Sequence, residues 1–272
     1  MNTKRNNKIR NKIAGAVYGF AIGDAMGATT EFMTDTQIKM HYGVVDEIIG
    51  GGWLGLKPGE VTDDTQMSMC VMDALMHEKE LFRENCMNNF IEWFKSCPKD
   101  IGCQCLKAIT YYIENNVIIS IDKNALGNGS LMRALPCALL NESELNVLQG
   151  MLTHNNLTCS QIILEYTRLI QGLLYNDFYL YNVNPLLEPT GCIINTFNNA
   201  LYWANERSFE RAIIGAVNHG GDADTIAAIT GSIAGAKFGF EYIPKRWIYG
   251  LSPSVKKDLE KFIKFVFSYL QI

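Results

Sequence analysis

The stretch IAGAVYGFAIGDAMGA, Ile13–Ala28, carries a glycine at every fourth position, at Gly15, Gly19, Gly23 and Gly27. Residues four apart lie on one face of an α-helix, so this spacing gives a helix with a smooth face for close packing. The basic residues before it and the small apolar residues within it also resemble a secretory signal, but Asp24 interrupts the apolar run. We therefore predict a packing helix over residues 8–27.

The rest of the chain shows the same helical character. Apolar residues recur with helical spacing almost everywhere, and the strict alternation typical of strands is almost absent, which predicts an all-α, multi-helix bundle. The glycine-rich segment Gly43–Val61 is the exception, because glycine and proline disfavour helix interiors. No linker or repeat divides the chain, so we predict one domain over residues 1–272, with a motif-covered core of about 13–240. The predicted helices cover residues 8–27, 65–78, 82–96, 101–116, 130–152, 158–175, 190–205, 208–218, 224–238 and 254–270.

Composition narrows the functional class. The 272 residues include 24 basic and 28 acidic ones, a net charge of -4, so the broad basic surface typical of nucleic-acid-binding proteins is missing. The eight cysteines form no CxxC pair, which indicates buried thiols in a reducing compartment. The apolar segment Thr225–Gly239 is shorter than the roughly 20 residues of a membrane-spanning helix. We expect a cytoplasmic monomer with no membrane span and no nucleic-acid partner.

The segment VTDDTQM, Val61–Met67, places two carboxylates side by side just before an apolar helix. At about 4 Å and an effective dielectric near 20, two such charges repel by roughly 4 kcal/mol, so a buried pair needs a cation or strong hydrogen bonds. The alternative is ordinary capping, since threonine and aspartate are favoured at helix starts. This segment alone leaves both interpretations open.

A second acidic cluster repeats the pattern. In NHGGDADT, Asn218–Thr225, two carboxylates and a threonine again precede an apolar helix, and two glycines permit positive φ angles there. Two oxygen-rich clusters at separate helix starts favour the halves of one divalent-cation site over two coincidental caps. Carboxylates and hydroxyls suit Mg²⁺ or Mn²⁺, and the chain has no pattern typical of a zinc site.

Five motifs together resemble the ADP-ribosylglycohydrolase family, in the order that the family has them. They are GDAMGATTEF (Gly23–Phe32), GGGWLGLKPGEVTDDTQM (Gly50–Met67), GNGSLMRALP (Gly127–Pro136), LTHNN (Leu152–Asn156) and GGDADTIAAITGSIAGA (Gly220–Ala236). The resemblance implies an all-α hydrolase with two Mg²⁺ or Mn²⁺ ions. It also implies cleavage of the bond between ADP-ribose and an acceptor, either an ADP-ribosylated protein, with arginine as the favoured residue, or a small ADP-ribose conjugate.

The same resemblance implies roles for individual residues. The matching metal ligands are Thr62, Asp63, Asp64, Asp222, Asp224 and Thr225. Glu31 matches the family's loop glutamate and is a catalytic candidate together with Asp63 and Asp64, either taking a proton from the attacking water or shaping the bound complex. The turn of Gly127, Asn128, Gly129 and Ser130 matches the loop that approaches the diphosphate, and His154 is a further substrate-binding candidate.

Several interpretations remain open at this stage. Substrate contact and a structural role are equally compatible with His154, because the two asparagines after it depart from the family's usual residues. We expect a structural hydrogen bond for Asp24, a loop-holding role for Arg133, and a backbone-satisfied loop position for His219. Adenine stacking by Trp53, Tyr111 or Tyr112 is a weaker suggestion. The alternatives for the whole protein are a Mg²⁺-dependent nucleotide phosphohydrolase and a non-catalytic ADP-ribose binder.

Overall fold

The computed structural model describes residues 2–176 and 181–272. In these residues the chain forms α-helices and three short 3₁₀ turns, with no β-sheet and two isolated bridges, so the predicted all-α class is confirmed. The helices are α1 Asn2–Gly27, α2 Asp35–Tyr42, α3 Asp63–Leu75, α4 Phe82–Lys95, α5 Cys103–Asn115, α6 Leu135–Leu139, α7 Ser143–Met151, α8 Leu157–Tyr175, α9 Ile193–Ala204, α10 Phe209–His219, α11 Ala223–Phe238, α12 Lys245–Gly250 and α13 Pro253–Tyr269.

The chain divides into two compact units. The first comprises Met1–Thr62, Gly172–Gly191 and Asn195–Ile272, and the second comprises Asp63–Gln171 and Cys192–Ile194. The predicted single domain over 1–272 includes Met1 and residues 177–180, which lie outside the described residues, and it stays a prediction.

Helices α1 and α11 form the centre of the first unit. The glycine face of α1 lies directly on α11, where a Cβ atom added at Gly15 would stand 2.5 Å from the carbonyl oxygen of Gly235. At the other end, a Cβ at Gly27 would stand 2.5 Å from the Cα of Asp224. The predicted close-packing face is confirmed, and it brings the end of α1 against the beginning of α11.

The second unit is built around α3, α4 and α6. Every residue of α6 is buried, and the core also takes Met67 of α3 and Phe90 of α4. In this unit the expected single helix over 130–152 is wrong, because the segment contains a 3₁₀ turn and two short helices. Pro136 occupies the first turn of α6, and Asn141 has a positive φ of 59° just after it, so both residues interrupt a continuous helix.

Other differences from the predicted helices have local causes. Helix α1 starts at Asn2 and not at residue 8. The prediction placed its start too late because the first turns of the helix are polar and show no apolar periodicity. The short helix α2 was missed, although Thr34 and Gln37 form a capping box that marks its start. Helix α12 was also missed, and it follows directly on Pro244.

All eight cysteines are free. The expectation that they are buried is wrong for Cys97 and Cys103, which are exposed. Within the described residues, none of the helices has the length and the apolar character needed to cross a membrane.

Candidate functional site

Three acidic side chains of the first unit come together at the junction of α1 and α11. Carboxylate oxygens of Glu31, Asp222 and Asp224 all lie within 4.8 Å of one another. Glu31 follows the end of α1, Asp222 occupies the N-cap position of α11, and Asp224 lies in the first turn of that helix. The close packing at Gly27 therefore brings residues from distant parts of the sequence into one acidic cluster.

Backbone hydrogen bonds hold the loops that carry these acids. The amide of Phe32 donates to the carbonyl of Gly221 at 2.7 Å, and the amide of Gly221 donates to Met33 at 2.8 Å. The amide of Asp222 donates to the carbonyl of Pro189 at 2.8 Å. Gly221 has a φ of 63°, which agrees with the positive angle that the sequence suggested for this position.

The arrangement of the acids fits a divalent cation better than helix capping. Asp222 makes no side-chain hydrogen bond to the start of α11, so it is not an ordinary cap there. Glu31 is only 5% exposed and Asp224 only 2%, and carboxylates this close together repel strongly when water is largely excluded. Hard oxygen donors in such a group match the ligand preference of Mg²⁺ and Mn²⁺.

The orientation of Glu31 is set by a residue that the sequence did not indicate for this purpose. The indole Nε1–H of Trp53 donates to Oε2 of Glu31 at 2.6 Å, and the Trp53 ring lies 5.3 Å from that of Phe32. Sequence reasoning considered Trp53 only for adenine stacking, which stays a prediction. No local pattern connects Trp53 to Glu31, because the contact depends on how the segment Gly43–Val61 folds back.

Asp24 and the two threonines of the predicted ligand set are buried in the same unit. Asp24 is fully buried, and its Oδ1 accepts a hydrogen bond from the backbone amide of Thr62 at 2.9 Å. The expected structural role of Asp24 is confirmed, since it fixes the chain just before the first acidic pair. Thr62 and Thr225 are 2% and 3% exposed.

In the second unit, Asp63 and Asp64 begin α3. Both are buried, and each offers a carboxylate oxygen within 4.8 Å of the other. Acids in a first helical turn interact favourably with the helix dipole, but that interaction alone does not explain two buried carboxylates. The pair has the oxygen donors that a divalent cation requires.

The predicted diphosphate loop, residues 127–130, rests on His154. A Cβ atom at Gly127 would stand 2.9 Å from His154 Nε2, and one at Gly129 would stand 2.7 Å from Cε1 of the same ring. Side chains at these two positions would therefore displace the imidazole. Substrate contact by His154 stays a prediction, while its support of the turn is a feature of the fold.

A buried arginine holds this turn through a hydrogen bond to its backbone. The guanidinium of Arg133 is fully buried and donates to Gly129 O at 2.7 Å, to Gln149 Oε1 at 2.8 Å, to Gln149 O at 2.9 Å and to Thr153 Oγ1 at 2.6 Å. It also lies 4.7 Å from the centre of the Phe90 ring. The predicted loop-holding role is confirmed, and the acceptors in these four hydrogen bonds are neutral groups.

The same network keeps His154 neutral. Burial, followed by the charge of Arg133, lowers the pKa of His154 to about 3. Thr153 Oγ1 accepts from Arg133 and lies 2.8 Å from His154 Nδ1, so its hydroxyl hydrogen is available to Nδ1. This favours the tautomer with its proton on Nε2, the nitrogen that faces the glycines of the turn.

His219 differs from its prediction. It is the last residue of α10, not a loop residue, and its buried Nδ1 has no hydrogen-bond partner. Its ring lies 5.8 Å from that of Trp203 in an edge-to-face arrangement.

The all-α fold is the one that the sequence motifs implied. The sequence profile of the ADP-ribosylglycohydrolase family matches residues 5–178 and 167–271. The chain belongs to this family and is a hydrolase that acts on glycosidic bonds of ADP-ribose conjugates.

Individual relatives cover most of the chain. ADP-ribosyl-[dinitrogen reductase] glycohydrolase of Rhodospirillum rubrum is 32% identical over 262 residues, with 87% of this chain and 88% of the relative covered. ADP-ribosylarginine hydrolase Tri1 of Serratia proteamaculans is 30% identical, with 82% of this chain and 70% of the relative covered. A solved structure described as an ADP-ribosylglycohydrolase-related protein complex has a TM-score of 0.81 at 25% identity, with 97% of this chain and 99% of that chain covered.

Proposed function

We propose that this protein cleaves the bond between ADP-ribose and an arginine side chain of a protein, with two Mg²⁺ or Mn²⁺ ions as cofactors. The observation that carries the proposal is the cluster of Glu31, Asp222 and Asp224 within 4.8 Å. The arginine acceptor is supported by the similarity to a relative named as an ADP-ribosylarginine hydrolase.

In this proposal the cations are held by Thr62, Asp63, Asp64, Asp222, Asp224 and Thr225. When bound, they supply positive charge that offsets the carboxylate repulsion and favours water and ribose hydroxyls near the scissile bond. Glu31 takes the proton from the attacking water as the bond to the acceptor breaks. The hydrogen bond that Trp53 donates to Oε2 keeps the carboxylate of Glu31 in one orientation.

The turn of Gly127, Asn128, Gly129 and Ser130 binds the diphosphate in the same proposal. Missing side chains at the two glycines let a ligand approach the backbone, whose N–H groups suit an anion. The buried positive charge of Arg133 adds a favourable potential, because its guanidinium donates directly to Gly129 O. His154 offers Nε2–H on the side of its ring that faces the glycines of the turn.

The test uses metal-free protein and ADP-ribosylarginine, with products separated by chromatography. We expect turnover only after Mg²⁺ or Mn²⁺ is added, and free ADP-ribose with arginine as products. Full turnover in metal-free protein would contradict the cation requirement. Appearance of AMP and phosphoribosylarginine, with the bond to arginine intact, would instead identify a phosphohydrolase.

Asp63→Asn, Asp222→Asn and the double variant test whether the two acidic pairs serve one site. Each single variant should lose most turnover, and the double variant should lose little more, since groups that act as a unit are not additive. The matched control is Asp258→Asn, because Asp258 is an exposed residue of α13, and this variant should retain turnover. Separate caps would instead give additive stability losses of about 1 kcal/mol each with turnover retained.

A further inference from the structure

A large pocket lies beside the acidic cluster in the first unit. Its volume is about 860 Å³, within the range of roughly 300 to 1,000 Å³ typical of ligand pockets. Its walls come from α2, from the end of α10, from residues 186–190 and from Trp203. Neither the diphosphate turn nor the acidic side chains themselves line it.

The pocket and the acidic cluster share their supporting backbone. Phe32 and Gly221 line the pocket, and they are the chain neighbours of Glu31 and Asp222. Phe32 and Gly221 are joined by a 2.7 Å backbone hydrogen bond, and Pro189, another wall residue, accepts from the amide of Asp222 at 2.8 Å. The pocket wall is therefore continuous with the backbone that carries Glu31 and Asp222.

The chemistry of the lining disfavours the diphosphate part of the substrate. Most of the lining is apolar, with contributions from Met33, Ile38, Val44, Leu186, Pro189 and Ile214. The charged residues of the pocket are Asp35, which pairs with Lys39 at 3.2 Å, and the exposed Glu188. This balance is negative, so it disfavours a diphosphate and accepts an apolar or cationic group.

Two buried nitrogen atoms in the pocket wall also indicate a binding role. Nε1 of Trp203 and Nδ1 of His219 are hidden from solvent and have no hydrogen-bond partner. A buried polar atom without a partner is unfavourable, and such atoms are otherwise rare. A bound peptide that offers a carbonyl to the indole N–H would supply the acceptor that Trp203 lacks.

We propose that this pocket is a subsite for the protein acceptor and takes an apolar side chain next to the ADP-ribosylated residue in sequence. The inference rests on the proposed function, because it concerns the acceptor side of the same reaction. The apolar wall selects the neighbouring side chain, and Glu188 favours a positive charge on the bound segment. The enzyme then recognises the residue next to the modified one as well as the ADP-ribose.

The experiment compares three substrates with the complete protein loaded with Mn²⁺. They are ADP-ribosylarginine, a peptide with ADP-ribosylarginine between two leucines, and the same peptide with two serines. Burial of one leucine side chain is worth about 1.5 to 3 kcal/mol, so kcat/KM should be at least about tenfold higher for the leucine peptide. An unmodified leucine peptide should also compete with it.

Val44→Asp tests the pocket directly, because Val44 lines it and is 60% exposed. The change should remove the preference for leucine and leave cleavage of ADP-ribosylarginine within about twofold of wild type. Val117→Asp is the matched control, since Val117 is 55% exposed and does not line the pocket. This variant should keep the preference.

The outcomes separate the two claims. Equal rates on both peptides with normal cleavage of ADP-ribosylarginine would overturn the pocket assignment and leave the proposed function standing. A Val44→Asp variant that keeps the leucine preference would also overturn it. Failure of the wild type to cleave ADP-ribosylarginine would overturn the proposed function, and the acceptor subsite with it.

Discussion

Adding one methyl group at Gly27 should weaken cation binding, because this glycine sets the distance between α1 and the acids on α11. In Gly27→Ala the new Cβ would stand 2.5 Å from the Cα of Asp224, and closer still to the carbonyl oxygen of Ala223. The backbone carrying Asp224 must move by about 0.9 Å to reach the 3.4 Å at which ordinary contact begins. Overpacking of this kind costs about 1 to 3 kcal/mol in the free energy of unfolding.

The same displacement is large for a ligand set, since metal-ligand distances tolerate changes of only about 0.2 Å. We therefore expect Mn²⁺ affinity to fall at least about tenfold, a difference of about 1.4 kcal/mol. Urea unfolding followed by circular dichroism gives the stability loss. Calorimetric titration of the metal-free protein with Mn²⁺ gives the affinity and does not depend on turnover.

Two controls separate the local effect from general destabilisation. In Gly15→Ala the new Cβ meets the carbonyl oxygen of Gly235 at 2.5 Å, a comparable clash about 18 Å away along the same helix pair. It should destabilise the protein similarly and leave Mn²⁺ affinity within about twofold. Gly102→Ala meets open space and should change neither quantity. Unchanged affinity in Gly27→Ala, or an equal loss in Gly15→Ala, would refute the reasoning.

Three further predictions concern the side chains that support the site. Because the pKa of His154 is lowered to about 3 in the folded protein and stays near 6.5 when unfolded, the unfolded state binds the extra proton as pH falls. Unfolding free energy should drop by about 1.3 kcal/mol from this group between pH 7 and 5.5, and His154→Gln should remove that part of the slope in urea titrations; an identical slope would contradict the assignment. Arg133→Met should destabilise by about 2 to 4 kcal/mol in the same assay, because it leaves buried acceptors such as Gly129 O unpaired, whereas a loss below about 1 kcal/mol would show that the network contributes little. Trp53→Phe should lower kcat about tenfold by releasing Glu31, with an unchanged melting temperature because Trp53 is 53% exposed; an unchanged kcat would show that the hydrogen bond does not orient the carboxylate.

The parts of the fold that were predictable from sequence are those encoded by local spacing. The four glycines of α1 predicted a close helix contact, and the structure has it. The interruption between Ser130 and Leu152 was missed, although Pro136 and Asn141 carry the signal, because the apolar residues there keep helical spacing across the break. The division into two units depends on contacts between distant residues, which no single segment reports.

The candidate site also contains some features that a local sequence pattern predicts and others that depend on contacts between distant residues. The acids were recognisable because each pair stands beside glycines and a helix start, which is a local pattern. The contact of Trp53 with Glu31 was not recognisable, because the two residues meet only through the fold of an irregular loop. Asp24 and Arg133 lie between these cases, since a buried charge in a small-residue or glycine motif indicates a structural partner without identifying it.

The acidic cluster of the first unit and the glycine turn of the second unit are each held by different interactions, and this determines which substitutions each of them tolerates. Around Glu31 and Asp222 the geometry comes from backbone packing, because hydrogen bonds join the loops and a methyl group at Gly27 meets main-chain atoms. Main-chain atoms cannot rotate away, so changes of size should be the damaging ones there. At the glycine turn, Arg133 and His154 provide the support, so changes of charge and hydrogen bonding should dominate. A conservative exchange such as Arg133→Lys, which keeps the charge and loses the planar fork of donors, should therefore disturb the turn while leaving cation binding by Asp222 and Asp224 intact.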